Sequence, residues 1–167
     1  MPDPTGPMTV NVTVTVTGGP YDFSASNPPV IDTVYSGTTT PAAVGGKSVI
    51  QRDGDINLTA LDKNDGFTDE TNIVFTLAGS VTDTNGQTHS PSWPRTFNQA
   101  VAVAANGGTP FQGEGVPEGW AATNASNGGV QVTDPDTDGQ NYNYGLWVML
   151  DGVSCPLDPS ILNRTRG

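Results

Sequence analysis

Residues Thr9 to Thr17 constrain this chain more than any other stretch. Val10, Val12, Val14 and Val16 alternate with Asn11, Thr13, Thr15 and Thr17. β-Branched side chains suit a pleated surface, and a repeat of two places every valine on one face. The segment therefore predicts a strand with one face buried and the other wet. Gly18-Gly19-Pro20 ends it. Nowhere do apolar residues recur at the i, i+3, i+4, i+7 spacing of an amphipathic helix, so almost no helix is expected.

Further strand signals follow at Val30 to Tyr35, Lys47 to Gln51, Ile56 to Leu61, Asn72 to Leu77, Ser80 to Thr82, Gly129 to Thr133 and Tyr142 to Leu150. Tyr21 to Phe23 reads as a short edge strand, cut off by Asn27-Pro28-Pro29 because proline cannot donate to a ladder. Ala100 to Ala104 reads either as a strand or as one helical turn. Ser36 to Gly46 reads as a loop of small residues, and residues 105–129 as a long excursion rich in Gly, Pro and Asn. Asn85-Gly86 is a type I′ hairpin signal, since both residues tolerate positive φ. About eight short strands separated by turn signals predict an all-β fold, an antiparallel β-sandwich. Tyr142 and Tyr144 open a strand just after the turn Asp136-Thr137-Asp138-Gly139. That pattern resembles the tyrosine corner of immunoglobulin-like sandwiches, in which a tyrosine hydroxyl bonds back to the loop before it.

With 167 residues the chain suggests one domain, an irregular lead over residues 1–7 followed by a sandwich over 8–167. A globule of that length buries roughly 70% of its unfolded surface, enough for a core without staples. Six Lys and Arg stand against 17 Asp and Glu, a net charge of −11. A field of that sign repels phosphate backbones and anionic membranes, which argues against nucleic-acid or membrane partners. The single cysteine, Cys155, has no internal disulfide partner. Met1 to Pro7 holds neither a basic region nor an apolar run, and no stretch is long and apolar enough to span a bilayer. A cytoplasmic protein is the resulting expectation.

Several clusters are candidates for chemistry. Asp134-Pro135-Asp136-Thr137-Asp138-Gly139 has the Asp-x-Asp-x-Asp-Gly form of a calcium loop, with hard oxygen ligands on one side of a sharp turn. Asp134, Asp136 and Asp138 are thus the candidate Ca2+ ligands. Position twelve of an EF-hand loop would be Gly145, so an EF-hand is excluded. The competing reading is a solvated acidic turn. Asp62-Lys63-Asn64-Asp65-Gly66, with Asp69 and Glu70 behind it, is a second oxygen-rich turn whose lysine argues against a metal.

Trp93 and Trp120 lie in Pro- and Gly-rich segments. Exposed, their indoles would form a carbohydrate- or ligand-binding surface; buried, they would plug the ends of the sandwich. Trp147, in mid-strand, reads as core. Glu114 and Glu118, before Trp120, are the carboxylate pair a glycosidase-like reading would use. His89 reads as an exposed turn histidine. A zinc site would have to join it to Cys155 and acids at no recognisable spacing. No Gly-x-Ser-x-Gly elbow accompanies that histidine, and no catalytic signature emerges. The expectation is a non-enzymatic protein.

The closing residues are distinctive: Tyr142-x-Tyr144-x-Leu146-x-Val148, then Asp151-Gly152, then Leu157-Asp158-Pro159-Ser160-Ile161-Leu162-Asn163-Arg164. This string resembles the C-terminal signature of the DP-EP family of small bacterial β-sandwich proteins. It is also similar to the end of the AidA/PixA inclusion-body proteins. The resemblance implies a cytoplasmic structural protein without established activity that accumulates as packed bodies. Separately, an open sandwich has strand edges and loop aromatics through which it would meet another protein or a second copy of the chain.

Overall fold

The computed structural model describes residues 6–41, 48–54, 56–57, 67–68, 70–105, 108–125, 128–135, 141–158 and 161–164. The valine-threonine repeat forms β1 (Met8–Thr17), and its alternation is kept in the fold. Met8, Val10, Val12, Val14 and Val16 are buried to within 1%. Full burial of one valine side chain stabilises by about 1.5–3 kcal/mol, so this face alone anchors the core.

Two strands flank β1 along its whole length. β2 (Ile31–Thr40) runs antiparallel to it, with Val12 opposite Gly37. β4 (Thr71–Gly79) runs parallel to it, with Val12 opposite Phe75. Beyond β4 come β9 (Val130–Asp134) and, outermost, β8 (Ala121–Asn124). The other flank is built on β10 (Asn141–Leu150), which pairs with β7 (Val101–Ala105). On its other side β10 pairs first with β11 (Val153–Asp158) and then with β12 (Ile161–Arg164). β11 also meets β2, and β12 meets the short β3 (Ile56–Asn57), both in parallel. The result is nearly all β, a large mixed sheet curled into a half-barrel.

The expected antiparallel pattern is corrected here, because β1–β4, β2–β11 and β3–β12 are parallel. Long connections make this geometry accessible, since parallel neighbours cannot be joined by a tight turn. The small-residue loop expected over Ser36 to Gly46 is corrected in its first half; residues 42–46 lie outside the described residues. Ser36 to Thr40 continues β2, and Gly37 admits β1 closely, for a Cβ there would collide with the Asn11 carbonyl. Within residues 105–129, β8 interrupts the expected excursion. Tyr21 forms a single bridge to Asp83 rather than an edge strand. The ambiguous stretch near Ala100 resolves into one turn of helix, α1 (Phe97–Ala100), followed directly by β7.

The two flanks face each other across the core. Phe75 of β4 lies 5.4 Å from Tyr144 of β10, ring centroid to centroid. Ile56, Ile73, Val101, Val103, Trp120 and Val132 complete the same interior, which leaves a void of only about 10 Å3. That is room for one water at most, so the space among these described residues is packed core and not a ligand cavity.

Tyrosine hydroxyls pin the loops. The Tyr144 hydroxyl donates to the carbonyl of Gly54, in the segment leading to β3; residues 136–139 of the acidic turn lie outside the described residues. Tyr21 makes a bond back to the chain before it. Its hydroxyl donates to the Thr17 carbonyl at 2.8 Å and accepts the Asp32 N–H at 3.1 Å. One side chain thereby joins the end of β1 to the start of β2.

Candidate functional site

β4 ends at Gly79, and the chain leaves the main sheet as a hairpin of β5 (Val81–Thr82) and β6 (Thr88–His89). Asn85-Gly86 turns it, but not as type I′. Only Gly86 has positive φ, at 77°. The Gly86 N–H bonds the Asp83 carbonyl at 3.0 Å, and the Asp83 N–H bonds the Gln87 carbonyl at 2.9 Å. This is a type I turn closed by a left-handed glycine. The Asp83 side chain explains the choice: its Oδ1 accepts the N–H groups of Asn85 at 2.8 Å and Gln87 at 3.0 Å.

Oδ2 of the same carboxylate receives His89 Nε2 at 2.7 Å. Asp83 is 7% exposed, and the histidine side chain 16%. His89 is therefore no exposed turn residue. Phe23 packs edge-on against its imidazole at 5.5 Å and an interplanar angle of 77°. The His89 hydrogen bond, followed by the Gln87 N–H, holds the Asp83 carboxyl below its ordinary value against the opposing effect of burial.

A third group arrives from β10. Ser92 exchanges two backbone hydrogen bonds with Met149, at 3.1 and 2.7 Å. That pairing sets the chain after His89 beside the end of β10 and brings in Asp151. Asp151-Gly152 closes the β10–β11 hairpin with φ of 51° and 73°, the two positive values of a type I′ turn. One ligand atom from each of Asp83, His89 and Asp151 lies within 4.8 Å of the others. The set was not visible in the sequence, because its members come from two turns far apart in the chain that the Ser92–Met149 bridge brings together.

Trp120 is 9% exposed and packs against Tyr142 at 4.7 Å, which commits its ring to the core. Trp93 is half-buried against the core. Trp147, expected inside, is half-buried on the other face of β10, over Gly145, where a Cβ would come within 3.0 Å of the indole. The alternation of β10 gives the interior to Tyr142, Tyr144, Leu146, Val148 and Leu150 instead. Asp134 is buried at the end of β9, opposite Thr71. Asp136 and Asp138 lie outside the described residues, as do residues 62–66 and Asp69 of the second acidic turn.

Glu114 and Glu118 are both exposed. The Glu114 carboxylate accepts the Phe111 N–H at 3.0 Å, a loop-shaping role. Cys155 is fully buried on β11, opposite Val148.

A groove of about 440 Å3 opens between β7 and the segment after it, lined by Val103, Ala105, Thr109, Glu114, Val116 and Pro117 among others. Beside it Phe111 is 65% exposed. Its loop is tied down: Gln112 Nε2 donates to the Gln99 carbonyl at 2.8 Å and to Ser154 Oγ at 2.7 Å, and the Gly113 N–H bonds the Asn98 carbonyl at 3.0 Å. No protein-family model matches the chain, and no curated protein matches its sequence.

Proposed function

We propose that this chain is a non-enzymatic structural protein that associates with copies of itself through the Phe111 loop. The observation that carries the reading is Phe111, a large apolar ring held in solvent on a hydrogen-bonded loop. An aromatic side chain on a loop already ordered binds without first losing conformational entropy, and such rings dominate protein interfaces. The adjoining groove offers a concave surface for the same ring from a second copy. The fold reading that goes with this function is an immunoglobulin-like sandwich. It is supported by the facing rings of Phe75 and Tyr144 and by the Tyr21 corner. The C-terminal resemblance to inclusion-body proteins points the same way.

Sedimentation velocity over a concentration series tests the proposal. The parent protein is expected to associate and Phe111→Ser to remain monomeric with an unchanged melting temperature. A parent protein that stays monomeric at every concentration removes the reading.

A further inference from the structure

We propose that Asp83, His89 and Asp151 form a binding site for a divalent transition metal, of which zinc is the representative. The donor set is one imidazole nitrogen and two carboxylates, ligands that zinc takes at about 2.0–2.2 Å. Two carboxylates balance the charge of the ion, and the single nitrogen selects against calcium and magnesium, which prefer oxygen alone.

The three donors lie together, and Nε2 of His89 and Oδ2 of Asp83 part by about 0.6 Å to reach their separation on a tetrahedral ion. His89 Nε2 and Asp83 Oδ2 already sit 2.7 Å apart. Zinc takes the place of the proton between them; that proton moves to Nδ1, and the neutral imidazole binds through Nε2 as the Nδ1–H tautomer. Asp151 completes the set from within 4.8 Å. Asp151 is exposed, so its side chain has room to turn toward the ion.

Supporting groups hold the two inner ligands. The N–H groups of Asn85 and Gln87 fix Asp83 Oδ1 and so aim Oδ2 at the histidine. The Phe23 ring fixes the plane of the imidazole. Outer partners of this kind orient metal ligands and are worth on the order of 10–100-fold in affinity. An ion here would clip the β5–β6 hairpin to the β10–β11 turn, two elements otherwise linked near this point by the Ser92–Met149 bridge.

His89 is the only histidine of the chain, which gives the test an unambiguous reporter. Zinc chloride is titrated into the intact protein while the imidazole resonances are followed by NMR and binding by calorimetry. One equivalent of zinc is expected to shift the His89 signals and raise the melting temperature by several degrees. Asp151→Asn keeps a turn-forming residue at its position and is expected to weaken zinc binding by at least about tenfold. His89→Gln is expected to abolish it. Zinc that leaves the His89 resonances unmoved overturns the site, and so does an affinity unchanged in Asp151→Asn.

Discussion

Cys155 lies fully buried on β11, and burial pushes its thiol up to about 11. The thiolate is the reactive form, so a buried thiol of this kind is chemically silent at neutral pH. An aromatic disulfide reagent is expected to leave the native protein unmodified and to label one thiol per chain in denaturant. Rapid labelling of the native protein would contradict the burial. Asp83 makes the opposite case, a carboxyl held below its ordinary value of 3.8 by His89 and by turn N–H groups. A carboxyl with a depressed folded value contributes stability above its unfolded value and loses it as the pH falls through the folded one. Thermal melts of the parent and of Asp83→Asn are therefore expected to converge as the pH is lowered from about 5 to about 2. A gap that stays constant over that range would show that the ionised form of Asp83 contributes nothing.

Among the elements, β2 shows how much the sequence could reveal. β1, β4 and β10 were legible because each has a face rich in large apolar residues, and a repeat of two identifies such a face. Ser36 to Thr40 has none; its side chains are mostly exposed, and its extended form is imposed by pairing with Thr9 to Thr13 of β1. Gly37→Ala is expected to destabilise the protein by about 1–3 kcal/mol in chemical denaturation, because the added methyl meets the Asn11 carbonyl. A neutral effect would mean that the two strands are less closely apposed than described. The Asn85-Gly86 turn was legible as a turn but not as a type, since Asp83, two residues earlier, decides it with its carboxylate. The Asp83–His89–Asp151 set was illegible for a related reason. It depends on where two hairpins dock, and no local pattern records that. Trp147 was misplaced because size suggests a core residue, whereas strand parity put it on the opposite face from Tyr144 and Leu146.

For the whole molecule, the charge of −11 and the exposed Phe111 pull in opposite directions. Like-charged copies repel, and that repulsion is screened over about 8 Å at physiological salt and about 3 Å at 1 M. Apolar contact is not weakened by the same change. Association is therefore expected to strengthen with added sodium chloride, by the sedimentation measure already described. Weakening with salt would assign the contact to ion pairs and not to the ring.

The sharing of β11 between β2 and β10 bears on how the chain folds during synthesis. Both flanks of the sheet are encoded before it, yet β2 lacks its β11 partner until residue 158 has been made, and β10 lacks its last partner, β12, until residue 164. A nascent chain halted at residue 150 would present β2 and β10 with open ladders, the state most prone to pairing with another chain. Such a truncated chain is expected to aggregate when expressed and to be rescued by supplying residues 151–167 as a separate peptide. The same late strand that joins the two flanks is thus the point at which a correctly begun fold is most exposed to the wrong partner.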